Sequence, residues 1–176
     1  ESIFNGRDFS GWKGDLENYE VVDGAFVCKA GKGGTVFTDK QYSDFVSRLE
    51  FKLPPGGNNG LALRYPGTGQ PHIGGLELQV LDSEDAQYAA LDPRQYHGSV
   101  YGLVAAHRGY LRPTGEWNFQ QVTMVGSKIK VELNGFTILD ADLSEVKESK
   151  EGEVPPGAKA KSGHFGFAGH HDPVAF

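Results

Sequence analysis

The sequence predicts an all-β protein, an antiparallel two-sheet jelly-roll sandwich. Three observations carry this. Short runs of alternating apolar and polar residues recur along the chain, and such alternation sends successive side chains to opposite faces of a strand. Turn residues separate the runs, with 25 glycines scattered without a collagen-like period. Helical periodicity is scarce. About ten or more short strands at regular spacing point to an antiparallel sandwich or barrel, and that many suit two sheets.

Taken in chain order, "GAFVCKA" holds Cys28, the single cysteine, so no intramolecular disulfide forms and a buried inert thiol is expected. "DFVSRLEFKL" alternates most clearly. Phe45, Leu49, Phe51 and Leu53 share one parity, and Arg48, Glu50 and Lys52 the other, giving an apolar face and a solvated one. "PPGGNNG" breaks the run. "LALRY" puts Leu61, Leu63 and Tyr65 on one side, Ala62 and Arg64 on the other. "LELQVL" puts Leu76, Leu78 and Val80 inside and Glu77 and Gln79 outside. "SEDAQYAAL" is expected to form a short helix after Ser83. "KIKVEL" buries Ile129, Val131 and Leu133, with Gly126-Ser127 as the turn before it. Asn134-Gly135 follows and suits a two-residue type I′ hairpin, because both positions favour positive φ. The charged stretch "LSEVKESKEGEVPPGAKAKSG" reads as a surface loop with a helical turn around Glu145. "DPVAF" reads as a strand that has just begun, so residues 1–176 are expected to form one domain whose last strand continues past Phe176.

Composition narrows the partners. A hydrophobic fraction of 38% with 11% aromatic residues suits a folded globule rather than a disordered chain. The net charge of −6, with no basic stripe, argues against nucleic acid and against anionic membrane surfaces. No apolar run approaches the roughly 18 residues of a membrane span.

The polar parity of the "LALRY" and "LELQVL" strands supplies the first candidates. Glu77, Gln79 and Asp82 stand at i, i+2 and i+5, so a regular strand puts Glu77 and Gln79 on one face and Asp82 on the other unless a bulge intervenes. A conventional glycosidase needs two carboxyls flanking the bond, and Gln79 cannot titrate. It can still hydrogen-bond a sugar hydroxyl. Arg64 is the candidate partner on the neighbouring strand, either lining a site or pairing with Glu77 across the strands. Tyr101, out of phase with Val100, can point into a cleft, and His97 lies in the loop before it. Trp117 is either a core anchor or a sugar-stacking platform. His170, His171 and Asp172 raise the question of a metal, but adjacent side chains on a strand diverge and no dedicated ligand spacing is present. No cofactor is assigned; a structural calcium or another divalent ion stays open.

Several ordered segments together resemble one family. "IFNGRDFSGW", "RLEFKLPPGGNNGLALR", "GLELQVLD", "GEWN", "VELNG" and "SGHFGFAGHHDPVAF" are similar to the bacterial 3-keto-disaccharide hydrolase domain (DUF1080), and the likeness spans nearly the whole chain. It implies a concanavalin A-like lectin/glucanase fold with a concave sugar-facing sheet. It further implies a saccharide ligand, and export to the periplasm, outer membrane or medium of a bacterium; protein partners are left unspecified. His170 occupies the place of the histidine in the family motif, which favours it over His171.

The resemblance also implies action on glycosides with a ketone at C3. That ketone acidifies the C2–H, so one base, one group for enolate charge and one acid suffice. The expected catalytic set is Glu77, His170 and Arg64, with Gln79, Asp82, Tyr101, Trp117 and His97 binding substrate. The alternatives are a noncatalytic carbohydrate-binding module and an ordinary glucanase-like hydrolase.

Overall fold

A computed structural model describes residues 1–176. Nine of the eleven strands form two main antiparallel sheets. The first contains β1 (Trp12–Gly14), β4 (Gly34–Tyr42), β6 (Asn58–Tyr65), β7 (Leu76–Leu81) and β11 (Gly163–Gly169), in the order β1-β4-β11-β6-β7. The second contains β5 (Phe45–Lys52), β8 (Trp117–Val125), β9 (Lys128–Leu133) and β10 (Phe136–Asp142), in the order β10-β9-β8-β5. A small hairpin, β2 (Tyr19–Val22) and β3 (Ala25–Cys28), lies beside them. Ala175 bridges it to β5 by pairing with both Val27 and Lys52, so "DPVAF" does enter strand pairing.

The alternation read from the sequence sets the layers. Leu61, Leu63, Leu76, Leu78 and Val80 meet Phe51, Val122, Met124, Ile129, Val131 and Leu133 in one buried core, and each is almost fully removed from water. Burying such side chains contributes roughly 1.5–3 kcal/mol apiece. Trp12 and Phe26 extend this core through ring contacts with Phe167 at 5.2 and 5.3 Å. Cys28 is free and buried, as its apolar run suggests.

Turn chemistry holds the register. Asn134 and Gly135 both take positive φ, at 50° and 90°, closing the β9–β10 hairpin. Asp23-Gly24 closes β2–β3 in the same way. The stretch after Ser83 forms only a 3-10 turn (Ala86–Tyr88), capped by Asp85. The charged stretch carries its helical turn at Leu143–Glu145. A short helix that the sequence reading does not anticipate, α1 (Pro71–Gly74), begins at a proline and leads straight into β7.

One irregularity changes a side chain's address. Between β6 and β11, His164 pairs with Tyr65 and Gly166 with Ala62, so Leu63 and Arg64 together face Phe165 alone. This is a β-bulge, and Arg64 sits in it at φ 47°. Beyond the bulge the strand's faces are exchanged. Tyr65, expected beside Leu61 and Leu63, instead shares its face with His164, and both rings pack on Phe37.

Candidate functional site

The site is built on the outer face of the five-stranded sheet. Glu77 projects from β7, opposite Ala62 of β6, which in turn pairs with Gly166 of β11. Its neighbour Gln79 stands opposite Gly60. A Cβ at Gly60 would collide with Glu77 Oε1, so the absence of a side chain there gives the carboxylate its place. Residues 98–101 run beside β7 as a further strand-like edge, with Tyr101 N–H donating to the Glu77 carbonyl at 2.8 Å. The helix α1 folds back before β7 and delivers His72.

These elements assemble one cluster. His72 Nδ1 lies 3.4 Å from Glu77 Oε2, and His170 Nε2 lies 3.9 Å from Glu77 Oε1. The Glu77 side chain is 5% exposed, while His72 and His170 are 21% and 50% exposed, so the carboxylate forms the floor and the imidazoles lead out to water. The Tyr101 ring packs against His72 at 5.3 Å. Its hydroxyl accepts from Gln95 Nε2 at 2.9 Å, which leaves its own proton available to a ligand. Gln79 Nε2 donates to Asn58 Oδ1 at 3.0 Å, while Gln79 Oε1 is buried without a donor. Such an orphaned acceptor invites a hydroxyl.

The electrostatics follow from contact. Burial pushes the Glu77 carboxyl up, but the adjoining imidazoles of His170 and His72 outweigh it and leave the group below the usual carboxylate range. His72 moves the other way. Hydrogen bonding to Glu77 raises its pKa, against burial, with the charges of Glu77 and Glu151 adding to the rise. The pairing therefore favours the ionised carboxylate and the protonated imidazole together. No three His, Cys, Asp or Glu side chains converge as a metal-binding group.

The remaining sequence candidates lie apart from Glu77. Arg64, turned by the bulge, is buried and donates through Nη2 to the Gly126 carbonyl in the β8–β9 turn, whose N–H is held by Asp44. It ties the two sheets together and does not pair with Glu77. Asp82 lies past the end of β7 and accepts from Gly56 N–H at 2.9 Å, so no bulge brings it to Glu77. His97 lies between the sheets, its ring 5.0 Å from that of Phe51 and its Nδ1 accepting from Leu81 N–H. Burial lowers its pKa to about 4, so it is neutral at physiological pH. Trp117 is neither in the core nor near Glu77. It is 37% exposed on the other sheet, under Lys52 Nζ at 5.0 Å. The expected set thus contracts to Glu77, His170, Gln79 and Tyr101, and gains His72. The available signal for His72 was its place in "QPHIGG", a proline-led turn directly before the strand that carries Glu77.

Arg64→Ala tests the reassignment of that arginine. Loss of the bond to Gly126 is expected to lower stability by about 1–3 kcal/mol, read as a lower urea midpoint. The folded variant should keep the pairing of His72 with Glu77, read as an unchanged NMR titration midpoint for His72. A shifted His72 midpoint at unchanged stability would tie Arg64 to the Glu77 cluster.

Comparison with known proteins extends this picture. Residues 1–176 match the family described as the 3-keto-alpha-glucoside-1,2-lyase-like domain. A 3-keto-disaccharide hydrolase of Bacteroides thetaiotaomicron is 23% identical over 217 residues, covering 99% of this chain and 75% of that protein. Among solved structures, a candidate glycosyl hydrolase from Parabacteroides distasonis superposes with a TM-score of 0.85 at 24% identity, covering 99% of this chain and 93% of that one. The carbohydrate-binding module CBM66 of Bacillus subtilis superposes at 0.59 with 13% identity, covering 94% and 90%. At these identities the structural likeness speaks for the lectin/glucanase-type sandwich alone.

Proposed function

Since the chain belongs to the 3-keto-alpha-glucoside-1,2-lyase-like domain family, we propose that it cleaves glycosides bearing a ketone at C3, by elimination across C1–C2. The observation that carries this reading is one buried, ionised carboxylate contacted by two imidazoles that lead to solvent. Glu77 takes the C2 proton. The C–H electrons move toward the C3 oxygen and form an enolate. As the enolate re-forms the ketone, the C1=C2 bond forms and the C1–O bond breaks. His170, the more exposed imidazole, gives a proton to the leaving oxygen. Addition of water across C1=C2 then completes hydrolysis.

His72 takes the part that the sequence suggested for Arg64. In its protonated form, which Glu77 favours, it is paired with that carboxylate. Once Glu77 is neutralised by the C2 proton, the imidazolium faces a negative charge that has moved onto the substrate. Stabilising that charge with a group already in place costs little reorganisation. Tyr101 O–H and Gln79 Oε1 supply a donor and an acceptor for sugar oxygens. Conventional two-carboxylate hydrolysis fits less well, because the carboxylate that joins the cluster, Glu151, lies beyond the His72 ring. Export from a bacterial cytoplasm is part of the same proposal and rests on the family likeness.

A second reading, sugar binding without cleavage, draws on the orphaned Gln79 acceptor and the binding-module neighbour. A paired assay separates them. Incubation with a 3-keto-glucoside and with its parent glucoside is expected to give product from the keto form only. Binding of either sugar without product would favour the module, and cleavage of the parent would favour a glucanase-like hydrolase.

A further inference from the structure

The His72 ring is bracketed by two carboxylates: Nδ1 lies 3.4 Å from Glu77 Oε2, and Nε2 lies 3.7 Å from Glu151 Oε2. We propose that Glu151 is a positioning residue, holding the outer nitrogen of His72 so that the imidazole stays oriented and cationic beside Glu77. The proposal rests on the charge-stabilising role given to His72 above.

The carboxylate reaches this place through the local fold. Ser149 and Gly152 exchange backbone hydrogen bonds at 2.9 and 3.0 Å, leaving Lys150 and Glu151 at the tip of a tight turn. Glu151 N–H is further held by Ser149 Oγ at 3.2 Å. Lys150 N–H donates to the Gly102 carbonyl at 2.7 Å, clamping the turn to the residue after Tyr101. Tyr101 in turn packs on His72. One frame therefore sets the ring, the tyrosine packed against it and its outer carboxylate. A charged, glycine-bearing stretch that reads as solvated surface in the sequence contributes one specific contact.

The groups that face His72 are Glu77 from β7, Tyr101 from the adjoining edge and Glu151 from the turn; His170 meets the same Glu77 carboxylate. The flanking Glu148 and Lys150 act on Arg94 and Asp92 instead. The ring is protonated at low pH, and each facing carboxylate raises the pH at which it loses that charge. Glu151 is about half exposed, so its effect is partly screened.

The test is Glu151→Gln, with Glu151→Asp as the conservative variant. His72 is titrated by NMR, and kcat/KM on a 3-keto-glucoside is measured across pH. In Glu151→Gln the His72 midpoint is expected to fall by roughly half a pH unit, and the alkaline limb of kcat/KM to fall by the same amount. KM should change little, and Glu151→Asp should restore part of the shift. An unmoved His72 midpoint overturns the proposal. So does a uniform loss at every pH with the limb in place, which a merely structural role would give. If the wild type turns over no 3-keto-glucoside while the NMR midpoint still shifts, the proposed reaction fails and the pairing of Glu151 with His72 stands.

Discussion

Replacing Glu77 with glutamine is expected to lower kcat on a 3-keto-glucoside by roughly a thousandfold, within the range that general base catalysis contributes. The amide has the same shape and can still meet His72 and His170, so KM should change by only a few-fold. Its oxygen cannot take a proton from carbon. Wild-type protein in D2O should therefore exchange the substrate C2–H for deuterium, and Glu77→Gln should not. His72 should respond as well, since Glu77 is the main reason for its raised pKa. Its NMR midpoint should drop further in Glu77→Gln than in Glu151→Gln. Full turnover by Glu77→Gln would remove the carboxylate from the proton transfer. Retained C2 exchange with lost cleavage would instead move the defect to the step that expels the leaving group.

Lowering the pH from 7.5 to 4.5 should cost the wild-type protein roughly 2–3 kcal/mol of stability through His97 alone. The folded state holds this ring neutral until about pH 4, whereas the unfolded chain protonates it near 6.5. As pH falls below 6.5, the unfolded state binds a proton that the folded state refuses, so stability declines. The decline from this group ends below about pH 4, where both states bind the proton. His72, raised rather than lowered, has the opposite dependence: its contribution is fully present below pH 6.5 and is lost on the alkaline side. Urea unfolding at the two pH values, for wild type and His97→Gln, isolates the His97 contribution by difference. The variant starts less stable, because it loses the packing on Phe51, but its slope with pH should be shallower. Parallel pH dependences in the two proteins would contradict a neutral buried His97.

Much of the fold was legible in the chain because strand periodicity is local. The parity of Phe45, Leu49 and Phe51, or of Leu76, Leu78 and Val80, names the buried face before any partner strand is known. Asn134-Gly135 announces its hairpin for an equally local reason, the positive φ that both residues tolerate. The same rule put Glu77 and Gln79 together on the other face, and the structure keeps them there.

Where the local rule broke, a long-range interaction had intervened. Arg64 has the right parity to join Glu77, but the two-against-one pairing of β6 with β11 turns it toward Gly126. Nothing in "LALRY" announces that bulge, because it depends on Phe165, about a hundred residues later in the chain. His97 is polar and lies in a loop segment, yet the closing of two sheets around that segment buries it.

The sequence by itself determined the sandwich and the buried faces, and it placed Glu77 on the polar face of its strand. Only the tertiary structure decided what surrounds that acid. His72, His170, Tyr101 and Glu151 come from a helix, a segment after the last strand, an added sheet edge and a turn; loop closure sets His72 and His170 against Glu77, and Tyr101 and Glu151 against His72. Periodicity reports which way a side chain points along its own strand. It carries no information about which distant backbone closes over it, and that closure sets the charges facing Glu77.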